Sequence, residues 1–190
     1  MTRTRWVQPK NHLSPCQACI PCKKPLDSPL QCKDDNNAEA FVMTFEDCIR
    51  YIEKTPNGFL ATVEGQNPHV RPMTVWLADD SGIYFYTSAV KPLASQLLAN
   101  PNVEIAFHRP GTPPDIGTVL RIAGRIELVK DMNIRKKLYE TFDWLKQIGT
   151  GTPDSPTILV FRIPSGRFNF WTWENNINPG PWVGFPRGYI

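Results

Sequence analysis

The sequence lacks any long apolar run. Its longest stretches, such as Ile158-Leu159-Val160-Phe161, span a few residues, whereas a helix needs ~20 to cross a bilayer, so no membrane role is expected. Charge of one sign is also scarce. Lys and Arg number 21 against 18 Asp and Glu, a net charge of +3, too mild for the dense basic face that nucleic acid demands. Behind Met1-Thr2-Arg3-Thr4-Arg5-Trp6 there is no apolar segment of the secretory kind, which predicts a cytoplasmic protein in which disulfides are rare. Ser-His-Asp sets, glycine-rich nucleotide loops, paired carboxylates and internal repeats are all missing. His69 and His108 each stand alone on a predicted strand, where a packed or solvent-facing role is the ordinary one.

What is present suits a folded domain with an appendage. Hydrophobic residues make up 41% and charged residues 21%, enough for a real core. Residues 1–38 differ from the rest. They carry prolines at 9, 15, 21, 25 and 29, few large apolar side chains and no periodicity, and they end in Lys33-Asp34-Asp35-Asn36-Asn37. Such a segment needs a cross-link to fold alone, and four of the five cysteines lie in it, as Cys16-x2-Cys19-x2-Cys22-x9-Cys32. Three closely spaced thiols with a remote fourth are similar to the ligand sets of iron–sulfur clusters, here of the 4Fe-4S kind. A four-cysteine zinc site is the alternative, although zinc usually takes two separated pairs. Disulfides or free redox thiols remain as a third reading. The expected divisions are therefore 1–38, a Cys/Pro-rich extension; 39–175, the main domain; and 176–190, a Pro/Trp-rich tail.

In the main domain, Thr44-Phe45-Glu46-Asp47 has the form of a capping box and opens a helix with Phe45, Cys48, Ile49 and Ile52 at helical spacing. Cys48 on that stripe is read as a core residue. Strands follow at Phe59–Val63, His69–Ala78, Ile83–Thr87, Val103–His108, Leu120–Val129, Thr157–Ile163 and Arg167–Trp173, bounded by turn residues. Helices are predicted at Lys91–Asn100, with Leu93, Leu97 and Leu98 inward, and at Asp131–Ile148, with Ile134, Leu138, Phe142 and Leu145 on one face. The fold class is mainly β: a small β-barrel with short flanking helices.

One local constellation carries chemistry. Thr87 and Ser88 end a strand just before a helix that starts at Lys91-Pro92. Proline suits a first helical turn, whose free N–H groups favour an anion. With Arg71 on a neighbouring strand, these residues make a cradle for a phosphomonoester; the plainer reading is a surface Arg and Lys beside an ordinary capped helix.

The stretch from Asn67 to His108, with Arg71, Tyr86-Thr87-Ser88, Lys91 and Asn100-Pro101, followed by Leu120-Arg121-Ile122-Ala123-Gly124-Arg125 and the residues after it, resembles the FMN-binding split-barrel family typified by pyridoxamine 5'-phosphate oxidase. The resemblance covers roughly residues 44–173. It implies FMN as cofactor, with its phosphate at Arg71, Thr87, Ser88 and Lys91, Tyr86 among the residues that bind it, and its ring along Met73, Thr74, Val75 and Trp76. It also implies a homodimer in which aromatic residues such as Trp171 and Trp173 complete the site; core or interface packing is the plainer role for both. The implied activity is that of an FMN-dependent oxidoreductase acting on a small-molecule substrate, with an electron-donor protein or a nicotinamide cofactor as partner and an N-terminal cluster relaying electrons. The alternative is a non-catalytic flavin- or haem-binding sensor with structural zinc. The chain departs from the true oxidases at its end, which has Arg187 but no matching His, and this puts vitamin B6 oxidation in doubt.

Overall fold

The computed structural model describes residues 43–178 and 180–186; the N-terminal cysteines Cys16, Cys19, Cys22 and Cys32, and Arg187, lie outside the described residues. The chain runs through α1 (Phe45–Lys54), β1 (Asn57–Glu64), β2 (Asn67–Thr74), β3 (Leu77–Asp79), β4 (Gly82–Ser88), α2 (Pro92–Ala99), β5 (Asn102–Arg109), β6 (Thr118–Arg125), β7 (Glu127–Leu128), α3 (Met132–Thr141), a 3-10 helix (Asp143–Gln147), β8 (Ile158–Ile163), β9 (Gly166–Trp171) and β10 (Val183–Phe185). Two antiparallel sheets result, one in the order β10-β9-β6-β5-β1-β2 and the other in the order β3-β4-β8-β7. The mainly β class with short helices is what the sequence pattern predicts.

Helix α1 begins as expected. The Thr44 backbone N–H donates to Asp47 Oδ2 at 2.7 Å, and the Asp47 N–H donates back to Thr44 Oγ1 at 3.3 Å. Its apolar stripe packs Cys48, Tyr51 and Ile52 into the main core. That core is filled by Phe85, Phe107, Phe161, Phe168 and Phe185, all essentially inaccessible to solvent. A second, smaller cluster joins Leu138, Tyr139, Leu145, Ile158 and Val160.

Four expectations are corrected. The single strand His69–Ala78 is two: the Val75 N–H donates to Pro56 O at 2.9 Å and the Trp76 N–H to Tyr84 O at 3.1 Å, so the chain changes sheet there. Leu120–Val129 divides for the same reason at Ile126, whose N–H goes to Pro101 O while that of Val129 goes to Val160 O. The long helix Asp131–Ile148 ends at Thr141, because Phe142 turns its side chain against the second cluster and a 3-10 turn then buries Leu145. Leu98 is 59% exposed, and Gln96 takes its expected place on the inward face of α2 beside Leu93 and Leu97.

Strand β10 is an element that the pattern did not disclose. It pairs with β9 and buries Phe185, which stacks on Phe45 at 4.3 Å between ring centroids. The expected alternation of β9 is only half present. Phe168 and Phe170 face the core, but Asn169 on the other face is also buried, since its amide donates to Gly180 O and Pro181 O.

At the other end of the larger sheet, β2 is the outermost strand among the described residues. The bond from Val75 to Pro56, taken with the register, turns the backbone of residues 69, 71 and 73 toward β1. Pro68 and Pro72 then fall at outward-facing positions, where the missing N–H costs no ladder bond.

Candidate functional site

A cleft of about 710 Å³ opens where β2, the end of β4 and the start of α2 meet, a size within the ~300–1,000 Å³ usual for small-molecule and cofactor sites. Arg71, on the inward side of β2, points across to α2. Its Nη1 donates to Thr62 Oγ1 at 2.5 Å and its Nη2 to Gln96 Oε1 at 2.8 Å. Thr62, 2% exposed, donates in turn to Gln96 Oε1 at 2.8 Å. The Gln96 amide nitrogen donates to Glu64 Oε2 at 3.1 Å. The guanidinium is thus braced by two neutral side chains. Among the described residues no carboxylate lies within ion-pair distance of it. Burial lowers the Arg71 pKa from its usual value, which still leaves the group cationic.

Opposite Arg71, α2 starts at Lys91 without a side-chain cap, with Pro92 at its first position. An uncapped helix end has backbone N–H groups free for an anion. Lys91 and Thr87 line the same cleft, and Thr87 is nearly buried. Tyr86 lines it too, beside Trp144 from the 3-10 helix at 6.2 Å between centroids. Burial raises the Tyr86 phenol pKa, so the ring stays neutral and acts as an apolar wall.

Of the residues singled out from the sequence, the cleft gathers Arg71, Met73, Thr74, Tyr86, Thr87 and Lys91. Thr74 lines it while its hydroxyl donates to Asn57 Oδ1 at 2.7 Å. Val75 packs into the core and Ser88 is half-buried at the end of β4; neither lines the cleft. Trp171 and Trp173 are not brought to it within one chain. Trp171 ends β9, separated from β2 by three strands of the sheet, and Trp173 is 48% exposed beyond that strand. His69 lines the cleft with its Nε2 3.4 Å from Glu64 Oε2, and His108 bonds the Ile116 carbonyl at 2.8 Å.

Thr62, Gln96, Glu64 and Trp144 escaped the sequence reading. For Gln96 there was a signal: it falls at helical spacing between Leu93 and Leu97, a polar residue on an apolar stripe. Thr62 likewise occupies an inward position two residues beyond Leu60 on β1.

The family model described as pyridoxamine 5'-phosphate oxidase matches residues 45–170, more than half of the chain. The chain belongs to that family. No curated protein matches it. Similar solved structures, all at low identity, support the fold. A nimC/nimA family protein from Clostridium acetobutylicum is 20% identical with a TM-score of 0.59, covering 74% of this chain and 90% of its own. An FAD-binding protein from Mesorhizobium loti is 18% identical with a TM-score of 0.52, over 67% and 94%. HutZ, the haem storage protein of Vibrio cholerae, is also 18% identical with a TM-score of 0.52, over 68% and 95%. The fold is thus shared by proteins with different ligands. Among the described residues no group of His, Cys, Asp and Glu could hold a metal ion, and no helix is long and apolar enough to cross a membrane.

Proposed function

We propose that this protein is an FMN-dependent oxidoreductase that acts on a small molecule. The observation that carries the proposal is the cationic cleft. Arg71, braced by neutral Thr62 and Gln96 with no carboxylate in ion-pair distance among the described residues, lines the same cleft as the uncapped start of α2, with Lys91 and Thr87. That donor set fits a phosphomonoester: a guanidinium, an ammonium, a hydroxyl and the positive end of the α2 dipole. Met73 and Thr74 line the path of the ring, and the outward backbone of β2 offers it polar partners. The flavin, once bound, supplies hydride and single-electron chemistry; the chain's residues bind it, orient it and wall it with Tyr86. The FAD-binding relative favours a flavin at this fold. The haem-storage relative keeps a non-catalytic reading open in principle, but no feature of the cleft favours haem: His69, its one histidine, is engaged with Glu64.

A homodimer follows from the outer face of β1 and β2. Phe59, Val63 and Val70 are 52%, 37% and 66% exposed there, with Phe59 opposite Pro72 and Val63 opposite Pro68. Exposed apolar side chains in such a group seek cover, and a partner subunit would bring Trp171 and Trp173 toward the ring. In this reading the N-terminal Cys16, Cys19, Cys22 and Cys32 would hold a 4Fe-4S cluster, with zinc as the alternative; such a cluster would supply single-electron exchange with a donor protein, and a nicotinamide cofactor would supply hydride chemistry instead.

The test is the absorption spectrum and the cofactor content of the protein purified without oxygen. Flavin bands, with FMN released on denaturation, support the proposal. A protein that neither carries nor takes up FMN overturns it. Iron and acid-labile sulfide decide between cluster and zinc, and sedimentation equilibrium decides the dimer.

A further inference from the structure

The hydrogen bonds around Arg71 assign a role to a residue outside the phosphate cradle: we propose that Gln96 is a positioning residue whose uncharged amide directs Arg71 into the cleft and keeps its positive charge free for the phosphate dianion. The inference rests on the flavin reading above. Gln96 is 4% exposed and Thr62 2%, so this is a built polar network in a core-facing position. A buried polar network is stable only when its members are satisfied, and this one is. The amide oxygen of Gln96 accepts from Arg71 Nη2 at 2.8 Å and from Thr62 Oγ1 at 2.8 Å, and its nitrogen donates to Glu64 Oε2 at 3.1 Å. That donor on the far side settles which way the amide faces.

The placement has an electrostatic consequence. Glu64 lies at the wall of the same cleft, and Gln96 stands between it and Arg71 as their shared hydrogen-bond partner. Gln96 takes up the carboxylate on its nitrogen and offers Arg71 only a carbonyl dipole. A carboxylate at position 96 would form a partly buried ion pair with the guanidinium, and such pairs are markedly stronger than neutral bonds. The phosphate would then meet a neutralised cradle. Thr62 plays the companion part, holding Nη1 so that the guanidinium cannot swing out to solvent.

Gln96→Glu is nearly isosteric and separates charge from shape; Gln96→Met removes the hydrogen bonds and keeps the bulk. FMN affinity is measured on the full chain by quenching of flavin fluorescence from pH 5 to pH 9, with wild type run alongside so that titration of the ligand phosphate cancels in the ratio. The charged and titratable groups around position 96 are Glu64 from β1, His69 and Arg71 from β2, and Lys91 at the start of α2. Gln96→Glu is expected to weaken FMN binding roughly tenfold or more at pH 8, with the loss shrinking on acidification as the new carboxyl takes up a proton. Gln96→Met is expected to lose less, by a factor that does not change with pH.

Equal losses in the two variants with no pH-dependent ratio would make Gln96 a packing residue and overturn the inference. So would unchanged affinity in Gln96→Glu. Wild type that binds no FMN overturns the flavin reading itself, whereas wild type that binds FMN beside an unaffected Gln96→Glu overturns only the role of Gln96.

Discussion

Two arginines of this chain are drawn in from solvent, and neither is paired with an acid among the described residues, yet they do opposite things. Arg135, on α3, is 8% exposed and gives its donors to backbone carbonyls: Nε to Pro153 and Nη2 to Ser155 at 2.8 Å and Ile158 at 3.1 Å. It ties the segment before β8 to the helix. Arg71 is braced by two side chains on one flank and faces a cleft on the other. A buried guanidinium without an acid is therefore no mark of a binding site by itself. What distinguishes the two is where the remaining charge is directed, into peptide dipoles or into open space beside a second cation.

The largest expected effect tests the structural member of the pair. Arg135→Ala leaves two buried carbonyls, of Ser155 and Ile158, and the half-buried carbonyl of Pro153 without their donor, at ~1–3 kcal/mol for each buried group, with partial relief from water. A loss of about 3 kcal/mol in urea unfolding is expected, with flavin binding retained in whatever fraction stays folded. Arg71→Ala should do the reverse. It is expected to lower FMN affinity by roughly tenfold to a hundredfold, or ~1.4–2.8 kcal/mol, and to change the unfolding midpoint little; isothermal titration and urea curves on the same samples separate the two outcomes. If Arg71→Ala unfolds the protein as Arg135→Ala does, the contrast between them is lost.

Smaller changes sharpen it. Arg71→Lys keeps the charge and loses the fork, so FMN affinity should fall by only a few-fold. Arg135→Lys, which cannot reach three carbonyls from one plane, should still cost about 1 kcal/mol. The smallest effect concerns pH near the Arg135 anchor. Asp154, fully exposed, has its pKa held below the usual carboxylate value, first by the Thr152 hydroxyl, then by its own backbone N–H, and least by the charge of Arg135. A carboxyl depressed in the folded state contributes stability that is present above its unfolded pKa, about 4, and is lost as pH falls through the lower folded value. Asp154→Asn should therefore lower stability slightly at neutral pH, flatten the acid limb of the stability curve, and leave stability unchanged at pH values below the folded pKa.

The same contrast explains what could be read from the sequence. The grouping of Arg71, Thr87 and Lys91 at one cleft was legible because its parts are local: hydroxyls at a strand end, a basic residue, and proline at a helix start. The strands were legible through alternation, and α1 through its capping box. The points where β2 gives way to β3 and β6 to β7 were not, since hydrophobic alternation runs on through Val75 and Ile126 and only the identity of the hydrogen-bond partner changes. Arg135 could not be recognised as an anchor because its partners are backbone carbonyls, which carry no residue signature. Gln96 was visible as an oddity on α2, but its meaning depends on Thr62 and Glu64, which reach it only through the fold. Strand β10 hides in a proline-rich run, and its three residues are too few to display a period.

The prolines of β2 have one more consequence. An outermost strand with free N–H and C=O groups is a template on which another chain can add, the first step toward fibrils. Pro68 and Pro72, spaced four apart on the outward side, interrupt that template at every second outward position. Intermolecular strand addition is discouraged there, while carbonyls and the N–H groups of Val70 and Thr74 stay available to a small ligand. Among the described residues, the edge is thus poorly suited to strand addition yet keeps polar backbone groups beside the cleft, a division made by two prolines, one of which, Pro72, also lines that cleft.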